Sequence, residues 1–168
     1  MRWLRFLIGL VIALTIHSLL DSFFPNALAF FSPYVILVVY YAMGGNLFGA
    51  IVAGVVAGLI EDAFSGSIFG LHAFSLTVIG YLVAYVASRL VLRGTLSFGL
   101  ALAGAVIVNE IVIYVLVTIL TSHPVQLFEE GMIVKTILTS LFGMLIYQLL
   151  ALFLREEPVE AVRRAAVR

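Results

Sequence analysis

Long apolar runs alternate with short polar breaks along the whole chain. Charged residues leave uncharged runs at 6–20, 22–60, 63–88, 94–109, 111–128 and 136–154. About 20 apolar residues cross a bilayer as a helix, so these runs hold about six passes. Barrel strands would alternate apolar and polar residues over about ten positions, and that alternation is absent. The pattern predicts an all-α integral membrane protein: one transmembrane helical bundle over 1–154, followed by a cytoplasmic basic tail over 155–168.

The breaks set the expected elements. The basic start and apolar centre of 1–20 have the form of a signal peptide, but no small-x-small site closes it before Asp21, so it is a retained first helix. Pro25 and Asn26 break the chain, and Pro33 suits the first turn of a new helix over 30–43. Gly44, Gly45 and Asn46 form a turn, and a third segment runs to about Ile60. These two segments of about 15 residues, or about 22 Å, are short for a crossing. Two geometries remain open: a hairpin that spans twice, or a re-entrant hairpin that enters and leaves on one side. The fourth helix is expected over about 68–88, the fifth over 96–121 and the sixth over 132–154.

Composition agrees with the pattern. Of 168 residues, 64% are hydrophobic and 11% charged, too little polar surface to cover a soluble globule. The formal net charge is zero, but it is unevenly spread. With the N-terminus inside, Arg2, Arg5, Arg89, Arg93, Arg155, Arg163, Arg164 and Arg168 all fall on the cytoplasmic side, and Lys135 alone falls outside. Lys and Arg favour the cytoplasmic face of short loops, so both termini are expected in the cytoplasm. The tail arginines would then touch anionic lipid head groups.

Small residues mark where helices can approach closely in lipid. In the third segment Gly45, Gly49, Ala53 and Ala57 recur every four residues, with Ala50, Gly54 and Gly58 one position along. Gly66 and Gly70 continue the pattern after the turn, Gly80 and Ala84 serve the fourth helix, and Gly99, Ala103 and Gly104 open the fifth. Such a face packs either within the bundle or against a helix from a partner.

The candidate chemistry is sparse. Glu61 and Asp62 end the third segment, and adjacent helical residues point about 100° apart, which disfavours chelation of one ion. One carboxylate is expected to cap the 65–67 turn or the start of the fourth helix, with His72 close to Asp62, and the other to face the external aqueous layer. Glu110, beside Asn109, lies near the centre of the fifth helix, where a bare charge is costly, so it should face protein. Its expected partners are His17, His72 and Gln148. With no Lys or Arg at matching depth, a protonated or hydrogen-bonded carboxyl is expected rather than a salt bridge. His17, His72 and His123 lack ligand spacing, Ser65 and Ser67 lack a nucleophile motif, and no phosphate loop is present. No enzyme activity, metal or cofactor is expected.

The stretch GNLFGAIVAGVVAGLIEDAFSGSIFGLHAFSLTVIGYL carries a G-x-x-x-G-L-I-x-D core, then G-L-x-A and G-Y-L. On these motifs, and on length, Pro33 and segment order, the chain resembles the rod shape-determining protein MreD family. The resemblance implies a non-enzymatic scaffold of the bacterial cell-elongation machinery in the cytoplasmic membrane. Its implied partner is MreC, through that protein's transmembrane helix. Indirect partners are a penicillin-binding transpeptidase, RodA and MreB, with no nucleic acid. The matching positions are Gly54, Gly58, Leu59, Asp62, Gly66, Gly70 and Leu71. The family is similar in architecture to the substrate-binding subunits of energy-coupling-factor transporters. The alternative is therefore a vitamin-type ligand binder, with a pocket near Asp62, His72 and Glu110.

Overall fold

The computed structural model describes residues 2–23, 31–66, 68–90, 94–121 and 131–154. The tail expected over 155–168 lies outside the described residues. Six helices follow in order: α1 (Arg2–Phe23), α2 (Pro33–Ala42), α3 (Leu47–Ser65), α4 (Leu71–Arg89), α5 (Thr95–Thr121) and α6 (Gly131–Leu154). All but α2 are long and apolar enough to cross a membrane.

The short helix is the centre of the bundle. Pro33 occupies its first turn, where a missing N–H costs nothing, and Ser32 before it is extended. The Ser32 N–H donates to Thr139 Oγ1 of α6 at 3.4 Å, giving a buried helix start a polar partner. Tyr34, Val35, Val38, Val39 and Ala42 are wholly enclosed, and α2 packs against each of the other five helices. It runs antiparallel to α1. The Tyr34 ring lies 5.4 Å from His17, late in α1, while the Tyr41 ring lies 5.2 Å from Phe6 and 5.4 Å from Trp3 near the start of α1.

Two glycine-dependent turns define α3. Gly45, at φ +71°, follows α2, and Asn46 caps α3 by accepting the Gly49 N–H at 3.1 Å. A β-carbon at Gly45 would sit 3.7 Å from Ser88 Cα, which places this turn beside the end of α4. The third helix runs to Ser65 and stops at Gly66, a left-handed cap at φ +62°. It is therefore longer than the segment expected to end near Ile60. The acidic pair does not break it: the backbone stays helical through 61 and 62 while the Asp62 side chain reaches across to α4.

Helices α3 and α4 form the tightest antiparallel pair. Close approach in lipid relies on van der Waals packing of small residues. A β-carbon on Gly54 would strike the backbone at Leu76 and Thr77, one on Gly58 the backbone at His72 and Ala73, and one on Gly80 the Ala50 carbonyl. In the α5–α6 pair, Gly99 lies against Met144 and Gly143 against Leu102. Phe98 and Tyr147 stack at 4.8 Å across the same interface. The outer faces of α1, α5 and α6 carry rows of exposed Leu, Ile and Val, as lipid-facing helices do.

Candidate functional site

The polar side chains gather at one end of the bundle, where α3 stops and α4 and α6 begin. Asp62 is its most highly bonded member. Its Oδ2 accepts the Gly70 N–H at 2.9 Å and the Ala73 N–H at 3.1 Å, and its Oδ1 accepts the His72 N–H at 2.9 Å. His72 Nδ1 also lies 2.9 Å from Oδ1. The side chain is buried, and Asp62 serves as the cap that Gly70, at the N-cap position with φ +95°, cannot supply. A carboxylate at a helix start also meets the positive end of the helix dipole.

One turn further into α4, the buried Ser75 hydroxyl donates to Asn109 Oδ1 at 2.7 Å, tying α4 to α5. Beside it Lys135 Nζ of α6 donates to Glu110 Oε1 at 2.7 Å. This corrects the expectation that Glu110 lacks a basic partner. The reason is register. The contacts of Gly99 with Met144 and of Gly143 with Leu102 fix an antiparallel alignment, and continuing it brings Glu110 level with Lys135. Glu110 is central in α5 only because α5 is 27 residues long. Measured against Ser75 and Lys135, it sits near an end of the bundle.

Five polar side-chain atoms are enclosed without a hydrogen-bond partner among the described residues: His17 Nδ1, Tyr34 Oη, Glu61 Oε2, Thr118 Oγ1 and Ser140 Oγ. His17 and Tyr34 are neighbours, and Glu61 lies within electrostatic reach of Tyr34, His72, Lys135 and Glu110. Glu61 thus does not simply face an aqueous layer, because one of its oxygens is enclosed by protein. Tyr34 and Ser75 belong to this cluster although the residue pattern did not single them out, and Lys135, which the charge distribution set apart on the external side, joins it as the partner of Glu110. The available signal for Tyr34 was a polar-tipped side chain directly after the helix-starting Pro33. Among the described residues, no group of three His, Asp or Glu side chains is placed to hold a metal.

The glycines divide into two kinds. Gly54 and Gly58 are buried against α4, and Gly49 lies under Asn46 and the Tyr41 hydroxyl. Gly45, Gly66 and Gly70 all adopt positive φ, and there is open space where a β-carbon would stand at Gly66 and Gly70. Those two shape the elbow between α3 and α4 and do not seat a helix. Gly104 on α5 differs from both kinds: it is helical and exposed, with nothing within 4 Å of a β-carbon.

Fold and polar cluster together define a multi-pass helical membrane protein, in which a buried short helix and a polar elbow organise the bundle. The family model for the rod shape-determining protein MreD matches residues 1–156, and the chain belongs to this family. No curated protein and no solved structure matches the chain. Membership gives it a role in rod shape determination, in a family of structural proteins rather than enzymes.

Proposed function

We propose that the chain is a non-enzymatic scaffold of the cell-elongation machinery in the bacterial cytoplasmic membrane, and that it holds the transmembrane helix of MreC. The observation that carries this reading is a groove between α4 and α5 with small residues on its α5 wall. It has a volume of about 190 Å³, with Ile79, Leu82, Val83 and Val86 on α4 facing Ala101, Gly104, Ala105 and Val108 on α5. The lining positions on α5 recur at helical spacing, and Gly104 leaves room for another backbone. By contrast Gly54 and Gly58 are already covered by α4, so the partner surface moves from α3 to α5.

Orientation follows from charge. Arg89 at the end of α4 lies at the same end of the bundle as the α2–α3 turn, whose Gly45 neighbours Ser88, and as the start of α1. With that end in the cytoplasm, the polar elbow faces outward, α3 crosses the membrane, and the shorter α2 runs beside it down to the cytoplasmic turn. Because the chain has no cysteine, single cysteines at Ser88 and Ala63 report sidedness directly. Ser88→Cys should react only once the cytoplasmic face is opened, and Ala63→Cys in intact cells; the reverse pattern contradicts the orientation.

Contact with the partner is read by cross-linking. A photoreactive side chain at position 104 should capture MreC, while one at position 119, exposed on the far end of α5, should not. Equal capture at both positions speaks against a defined groove. The enclosed atoms of His17, Tyr34 and Glu61 favour a second reading, a small polar ligand bound as in a transporter subunit. Mass spectrometry of the purified protein separates the two: a stoichiometric small molecule supports the ligand binder, and an empty protein that retains MreC supports the scaffold.

A further inference from the structure

We infer that the groove between α1 and α6 is a binding site for one phospholipid, with an anionic head group at Arg5 and an acyl chain lying along α2. Helices α1 and α6 both pack on α2, and a cavity of about 280 Å³ opens between them. Its floor is Pro33 and Ile36 of α2, and its walls include Ile8 and Ile12 of α1 with Ile146 and Tyr147 of α6. The lining is apolar almost throughout, and Arg5 supplies its charge at one end.

The dimensions choose the occupant. The lining residues of α1 run from Arg5 to Ile16, which at 1.5 Å per residue is about 16 Å. That is about half of the ~30 Å hydrocarbon core, the depth that one acyl chain fills in a single leaflet. Leu37 and Tyr40 of α2, with Phe31 just ahead of it, complete the lining.

Charge then selects the head group. Arg5 is exposed, so its guanidinium can meet a phosphate at the membrane surface, in the bidentate geometry that arginine favours. Basic residues at the mouth of a pocket between transmembrane helices are the arrangement that recognises anionic lipid.

The test uses the full chain, purified and exchanged into nanodiscs or detergent with phosphatidylglycerol and phosphatidylcholine in equal amounts. Bound lipid is counted by native mass spectrometry. One phosphatidylglycerol should survive delipidation, at about fivefold preference over phosphatidylcholine, the discrimination expected of one basic residue near the surface. Arg5→Gln should abolish the preference while the protein still retains a chain. Ile12→Trp, a half-exposed position that places an indole in the groove, should reduce retention of both lipids with the melting temperature held. Wild-type retention in both variants overturns the site. So does an Ile12→Trp protein that keeps its lipid but loses a partner chain or a second copy, since the groove is then a protein interface.

Discussion

Asp62 shows how one side chain closes a junction between two helices. Both of its oxygens are used, on three backbone N–H groups and one imidazole, and all the donors belong to 70–73. Removing it leaves those N–H groups unpaired in a buried place, at roughly 1–3 kcal/mol for each group left without a partner. Asp62→Ala should therefore melt well below wild type in detergent. Asp62→Asn, which keeps one acceptor oxygen, should fall between, and His72→Ala should cost least because the backbone bonds survive. A wild-type melting curve for Asp62→Ala contradicts this account. The cap is legible in sequence, since an acid ahead of a Gly/Ser turn and a new apolar run is what an unfilled helix start needs. The Glu110–Lys135 pair is not, because it depends on how α5 and α6 slide past each other, and nothing local to either residue states that register.

At the scale of elements, the α3–α4 pair and its elbow make opposite demands of glycine. At Gly58 the dihedral angles are ordinary but the neighbour is backbone, which cannot rotate aside. At Gly66 the space is open but φ is +62°, a conformation costing an L-residue about 1–2 kcal/mol. Gly58→Ala should cost about 3 kcal/mol or more, the upper end of overpacking, and so destabilise more than Gly66→Ala. Comparing their thermal midpoints decides; equal losses mean that the two helices are not held at this distance. Apolar length and Pro33 located α1, α2, α5 and α6 to within a few residues. The end of α3 was hidden because Glu61 and Asp62 look like the polar edge of a span, and only the reach of Asp62 to α4 shows that the helix continues. The central position of α2 was hidden too, since a short apolar run carries no mark of being surrounded on every side.

Across the whole molecule, the bundle separates its duties by end and by face. Polar groups that fix geometry collect at the elbow end, and the short α2 holds the middle. Lipid-facing rows cover α1, α5 and α6, and grooves open between α1 and α6 and between α4 and α5. The small-residue ladder of α3 suits packing within the bundle or against a partner helix, and periodicity alone cannot separate a face turned to a neighbour in the same chain from one turned outward. The difference between Gly58, covered by backbone, and Gly104, facing open space, makes that separation. It also provides the most direct measurement of the scaffold reading, the yield of MreC that co-purifies with Gly104→Leu. That substitution adds bulk only to the α4–α5 groove, so the protein should keep its wild-type melting temperature and lose most of its MreC. A folded Gly104→Leu protein that retains MreC at the wild-type ratio contradicts the proposal that this groove holds the partner helix.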